Sequence, residues 1–138
     1  IHQLEKLDSF IRTRTRYVHI YDEAFSQCEE ITLLRTHKDV KHAYHLYIIL
    51  LNLQKLRINR DEFMRALHKE NIGFGIHFRS LCRHPYYQRR LALRSADFPN
   101  SDLATDRILS LPLYPKMSEG DVEDVIRAVK KIINYYRS

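Results

Sequence analysis

Cysteine is scarce: Cys28 and Cys82 are the only two in 138 residues, and no CxxC pair occurs. That argues against a disulfide framework and a zinc site, and it fits a reducing cytoplasm. Long apolar runs are also lacking. The longest, Leu46 to Leu51, is far too short to cross a bilayer, so membrane insertion is not expected. No basic-then-apolar stretch of the signal-peptide kind opens the sequence. There are three glycines and no Gly-rich phosphate loop; GxSxG and HExxH are missing too. Charge of one sign is in deficit: 17 acidic residues face 23 Lys and Arg, a formal +6 with a pI near 9.4. Such a balance suits an anionic partner or plain solubility, and no Lys/Arg block exceeds two in a row. Arg12, Arg14, Arg16, Arg89 and Arg90 accompany no nucleic-acid reading motif, so they are taken as solvated and no nucleic acid partner is expected.

What is present suffices for one domain with a single core, since 44% of residues are hydrophobic and 29% charged. Leu4, Leu7, Ile11, Val18, Tyr21, Phe25 and Cys28 fall on one seam, broken only by Arg14. The spacing predicts an amphipathic helix of about 28 residues, on the order of 40 Å long. Two readings stay open for it: a core helix that overhangs, or a connector to another domain or subunit. The chain opens at Ile1, already inside this pattern, which leads us to expect a fragment or excised domain. His37 to His42 reads as a loop, and Ala43 to Leu51 as a strand covered on both faces. Asn59 and Glu62 fit a capping box for a helix ending near Asn71. Gly75 to Phe78 reads as a second strand, and Pro85 opens a short helix to about Leu93. Asp102 to Ile108 reads as helix, Ser110 to Tyr114 as an edge-like strand, and Ser118 as the cap of a final core helix. The fold class expected is α+β: a small sheet of about three strands, partly antiparallel, with helices packed on one side.

The chemistry concentrates between Gly73 and Tyr87, where His77, Phe78, Arg79, Cys82, Arg83, His84, Tyr86 and Tyr87 lie close in sequence. His77, at a strand end, is either structural or ligand-facing. Arg79 and Arg83 with His84 form either an anion site, since guanidinium forks match phosphate and carboxylate, or a solvated basic loop. Cys82 lies near His84, but no third group that would orient a nucleophile is identifiable. His42 and His45 lack the helical spacing of a metal pair, so no metal is expected.

Several blocks in order carry a resemblance: His42-Ala43-Tyr44-His45-Leu46-Tyr47, Arg60-Asp61-Glu62-Phe63, Ile72-Gly73-Phe74-Gly75-Ile76-His77-Phe78, Pro85-Tyr86-Tyr87, Ser110-Leu111-Pro112-Leu113-Tyr114-Pro115 and Met117 with the last helix. Together they resemble the C-terminal small domain of the DegT/DnrJ/EryC1/StrS sugar aminotransferases. The His77-Phe78-Arg79 triplet is most similar to the branch that makes UDP-4-amino-4-deoxy-L-arabinose for lipid A modification. The resemblance implies the C-terminal domain of a fold-type-I enzyme dependent on pyridoxal 5'-phosphate. Residues 1–33 would be the interdomain helix and 34–138 the small domain, with the large cofactor-binding domain absent. The parent would move an amino group, commonly from glutamate, to a nucleotide-linked keto sugar, and would be a cytoplasmic homodimer. By the same resemblance His77, Phe78, Arg79, Cys82, His84 and Tyr87 are the substrate-facing residues. No catalytic or cofactor-binding residue is assigned to this chain, and by itself it is expected to bind no cofactor and not to transaminate. Two positions depart from the pattern. Cys82 stands where a second His is usual, with His84 displaced by two, and Phe78 stands where Tyr is frequent. An alternative from another class is a non-catalytic anion-binding or oligomerisation module on the same fold.

Overall fold

In the computed structural model, which describes residues 1–138, helix α1 (His2–Glu5) leads through Lys6 into α2 (Leu7–Phe25). Strands β1 (Ile31–Leu33) and β2 (Tyr47–Leu51) follow, then α3 (Arg60–Lys69), α4 (Pro85–Leu91) and α5 (Pro99–Thr105). Strand β3 (Ile108–Leu111) and helix α6 (Glu119–Tyr136) complete the order. The sheet runs β1-β2-β3 and is antiparallel throughout. The architecture is therefore the α+β one that the pattern predicts.

Register explains which face is buried. Ile31 pairs Leu51, Leu33 pairs Ile49, Ile49 pairs Leu109, and Tyr47 pairs Leu111. Alternation along each strand puts these side chains on one face. Tyr17, Val18, Tyr21 and Phe25 of α2, Phe63 and Leu67 of α3, and Val122, Val125, Val129, Ile132 and Ile133 of α6 close over them in one core. Two capping boxes start the flanking helices. Asn59 accepts from the Glu62 N–H while Glu62 accepts from the Asn59 N–H, both at 2.9 Å. Ser118 and Asp121 form the same pair at α6.

Four expectations are corrected. The first helix breaks at Lys6 and ends at Phe25; residues 31–33, assigned to helix, are strand β1. Ser26 Oγ donates to the Glu23 carbonyl and the Cys28 N–H to the Phe25 carbonyl, so the backbone turns before Ile31 pairs with β2. Strand β2 begins at Tyr47 rather than Ala43, and its burial alternates instead of being complete on both faces. The second strand expected at Gly75 to Phe78 is reduced to a single bridge, Gly75 opposite Ser110, which nonetheless adds the segment to the free edge of β3. The helices near Leu93 and Ile108 end earlier, at Leu91 and Thr105, and Ile108 enters the sheet.

Candidate functional site

The Gly75 bridge fixes the segment that holds the candidate residues. The Gly75 N–H donates to the Ser110 carbonyl at 3.0 Å and the Ser110 N–H to the Gly75 carbonyl at 2.9 Å. His77 then folds back over Gly75: a Cβ placed on Gly75 would stand 2.3 Å from His77 Cε1. The ring reaches Ser110, with His77 Nδ1 and Ser110 Oγ 2.9 Å apart. Ser110 is only 3% exposed, so its hydroxyl needs a partner inside the protein, and His77 is that partner. Beside this seated ring Phe78 projects outward at 76% exposure, its ring edge-on to His77 with centroids 5.1 Å apart.

The two arginines part company. Arg83 is bound inward: its Nε donates to Asp102 at 2.5 Å, and its Nη1 and Nη2 donate to Asp106 at 2.5 and 2.8 Å. The charged hydrogen bonds to Asp102 and Asp106 hold the guanidinium proton more tightly than usual and keep both carboxyls below the usual carboxylate range. Arg83 thus ties the turn at Leu81–Arg83 to α5, and the basic pair expected to attract an anion is reduced to one member. Arg79 is exposed, makes no ion pair, and borders a cleft of about 280 Å³ with Arg60, Arg83 and Asp106.

Cys82 is turned inward at 2% exposure, with Ser80 Oγ 3.0 Å from its sulfur. A thiol so enclosed meets neither substrate nor solvent on this chain, which corrects the expectation that Cys82 faces a ligand. His84 is exposed at the N-cap of α4 and lies edge-on to half-buried Tyr87, centroids 6.3 Å apart. Tyr86 is exposed, and its ring is edge-on to Tyr87 at 5.2 Å. The structure therefore gathers His77, Phe78 and Arg79 along one segment, sets His84 and Tyr87 on the next short helix, and withdraws Cys82 and Arg83. The residues missed from sequence are Ser110 and Gly75 as the seat of His77, and Asp102 and Asp106 as the partners of Arg83. A serine between Leu109 and Leu111 was the one visible signal for the first. The acidic pair spaced i, i+4, Asp102 on α5 and Asp106 at its C-cap, was the signal for the second.

A larger recess of about 660 Å³ lies between the end of α3 and α6. Its charges satisfy one another, Lys131 donating to Glu70 at 2.7 Å and Arg127 to Asp124. None of the candidate residues borders it. No group of three or more metal-ligating side chains is assembled anywhere in the chain, and no helix is long and apolar enough to cross a membrane.

Comparison with known proteins converges on one group. The family described as the DegT/DnrJ/EryC1/StrS aminotransferase family matches residues 1–130. An uncharacterised protein of Methanocaldococcus jannaschii is 43% identical over 137 residues, 99% of this chain and 36% of that protein. The spore coat polysaccharide biosynthesis protein SpsC of Bacillus subtilis is 42% identical over 134 residues, 96% of this chain and 34% of its own length. The PLP-form of the putative sugar aminotransferase Spr1654 from Streptococcus pneumoniae superposes with a TM-score of 0.86 at 25% identity, over 96% of this chain and 33% of that one. The Helicobacter pylori aminotransferase PseC, involved in biosynthesis of pseudoaminic acid, shares the fold with a TM-score of 0.82 at 23% identity, over 98% and 36%. The chain spans about a third of the length of the curated relatives it matches.

Proposed function

The chain belongs to the DegT/DnrJ/EryC1/StrS aminotransferase family, and from that premise we propose that it is the small C-terminal domain of a pyridoxal phosphate-dependent nucleotide-sugar aminotransferase. The parent transfers an amino group from an amino acid, glutamate first among them, to a keto sugar carried on a nucleotide. The product serves a cell-surface polysaccharide or lipid A. In this reading residues 1–33 join the small domain, 34–138, to the remainder of the parent, which acts as a homodimer. The His77-Phe78-Arg79 triplet supports the UDP-4-amino-4-deoxy-L-arabinose branch. SpsC is named for a role in polysaccharide biosynthesis, and Spr1654 has a PLP-form; both agree with a sugar substrate and this cofactor.

Pyridoxal phosphate supplies an electron sink when bound, and it needs an enclosed lysine to form its Schiff base. All eight lysines of this chain are exposed, and three of them pair with surface carboxylates on Asp8, Glu29 and Glu70. These residues do not fit the group, so we place the cofactor in the rest of the parent. What this chain contributes is a rim. His77 offers its remaining ring nitrogen, Nε2, to a sugar hydroxyl. Phe78 covers an apolar sugar face. Arg79, free of any carboxylate, meets a diphosphate oxygen, where a guanidinium forms paired charged hydrogen bonds.

The observation that carries the proposal is the family match over residues 1–130, joined to a histidine seated beside an outward Phe and an unpaired Arg. Its test is expression of the complete reading frame and a scan of UDP- and dTDP-linked keto sugars with glutamate. Amino transfer to at least one of them is expected, and His77→Gln should lower kcat/KM roughly 10- to 100-fold. A complete protein that aminates none of these sugars removes the proposal, and turnover by residues 1–138 alone removes the placement of the cofactor.

A further inference from the structure

Ser110 occupies a position that core packing does not explain. In β3 it stands between Leu109 and Leu111, which face the core, so alternation turns its side chain to the opposite face of the sheet. That face is otherwise formed by Thr32, Ile48, Leu50 and Ile108, all more exposed than Ser110. A hydroxyl buried to 3% exposure on an apolar strand carries a desolvation cost unless it is hydrogen-bonded. Its one side-chain partner is His77 Nδ1, at 2.9 Å. The residue paired opposite Ser110 is Gly75, whose backbone does not adopt a positive φ. Glycine is therefore required there for space rather than for conformation. A Cβ at that point would stand 2.3 Å from His77 Cε1, 3.0 Å from Nδ1 and 3.3 Å from Nε2, inside the volume that the imidazole occupies. Three residues from two segments thus build one seat: Gly75 leaves the floor bare, the paired backbone fixes its distance from β3, and Ser110 fastens the ring.

We propose that Ser110 is the positioning residue of His77, its buried hydroxyl clamping the imidazole over Gly75 so that Nε2 alone is presented to the hydroxyl groups of the sugar substrate. This rests on the reading of His77 as substrate-facing. A hydrogen bond at one ring nitrogen sets what the other can do: a hydroxyl donating to Nδ1 leaves the proton on Nε2, and a hydroxyl accepting from Nδ1 leaves Nε2 as an acceptor. The bond to Ser110 thus holds the orientation of the ring and couples its tautomer to the direction of that bond. Removing it frees the ring both to turn and to exchange tautomers.

The seat is tested on the 138-residue chain by nitrogen-15 NMR of labelled histidine, His77 being identified by the signal that His77→Gln removes. The native His77 should hold one dominant tautomer, unlike exposed His19. Ser110→Ala should bring its signal toward that of His19. Gly75→Ala, which keeps the hydroxyl but fills the floor, should do the same by a separate route, and Ser110→Thr should retain the native signal. In the complete protein, Ser110→Ala should lower kcat/KM roughly 10-fold or more with an altered pH profile. The His77→Gln/Ser110→Ala double variant should lose no more than His77→Gln alone. An unchanged His77 signal in both Ser110→Ala and Gly75→Ala, or additive losses in the double variant, overturns the inference and leaves the site reading standing. A His77→Gln enzyme of undiminished activity overturns the site reading, and the inference with it, whatever the NMR shows.

Discussion

Arg83 shows how one side chain is diverted from a surface role by its neighbours. Its three donor nitrogens meet Asp102 and Asp106, and the bonds hold both carboxyls below their usual range. A carboxyl whose folded pKa is depressed adds stability that is present above the unfolded value of about 3.9 and lost as pH falls through the lower folded value. Arg83→Met should therefore destabilise the domain near neutral pH and flatten its acid limb, so that thermal melts of variant and native protein draw together as pH falls from about 4 through the lower folded value. A variant whose melting temperature falls in parallel with the native at every pH would show that the clasp contributes nothing through these carboxylates. At this scale the sequence was informative about residue type and silent about direction. Phe78 and Arg79 stand exposed to solvent. Cys82 and Arg83 do not, because inward or outward rotation in an irregular segment depends on what the next elements bring: Ser80 and Ser95 around the thiol, α5 beside the guanidinium.

Helix boundaries depend on backbone groups more than on apolar stripes. Helix α3 ends in a double hydrogen bond, the Ile72 N–H to the Leu67 carbonyl and the Asn71 N–H to the His68 carbonyl, each 3.0 Å. Between them Asn71 takes φ 60, a left-handed conformation. This is the Schellman closure, with Asn in the place that glycine usually holds and Ile72 packed back on the core. Gly73, two residues on, is not the residue that ends the helix. Asn71→Ala should cost about 1 kcal/mol, since a Cβ without a compensating side-chain hydrogen bond is strained there, while Asn71→Gly should be neutral or slightly stabilising. Denaturant midpoints of the two variants decide it, and equal midpoints would refute the assignment. The Asn59–Glu62 box and the Ser118 cap were legible because they are local, residues three apart reading one another. The end of α2 was not. The seam of apolar residues runs on to Cys28, but Ile31, Thr32 and Leu33 gain their backbone partners from β2, some twenty positions away. Gly75 makes one bridge, to Ser110, instead of a strand, because His77 folds back over Gly75.

Over the whole molecule the apolar surface is unevenly covered. The core side of the sheet is sealed by α2, α3 and α6, yet the first turns carry Ile1, Leu4 and Leu7 exposed, Leu4 at 73%. Leu4 and Leu7 flank the break at Lys6. The overhang that the seam predicts is thus present, although the helix is shorter than its pattern implied. A second group of exposed apolar side chains, Phe78, Leu81, Tyr86 and Leu91, lines the candidate rim and α4. A second copy of the chain is the occupant to test for the overhang, since the parent is proposed to be a homodimer. Sedimentation equilibrium should show a dimer or larger species. Replacing Leu4 and Leu7 together by Glu keeps helix propensity nearly constant. It removes two side chains, each contributing about 1.5–3 kcal/mol when fully buried, so dissociation should strengthen by roughly 100-fold or more. The paired substitution Phe78→Ser and Leu81→Ser alters the rim instead and should leave the association unchanged if the overhang alone carries it. A native chain that sediments as a monomer at every concentration would mean that the stripe on α1 and α2 is not a contact between copies.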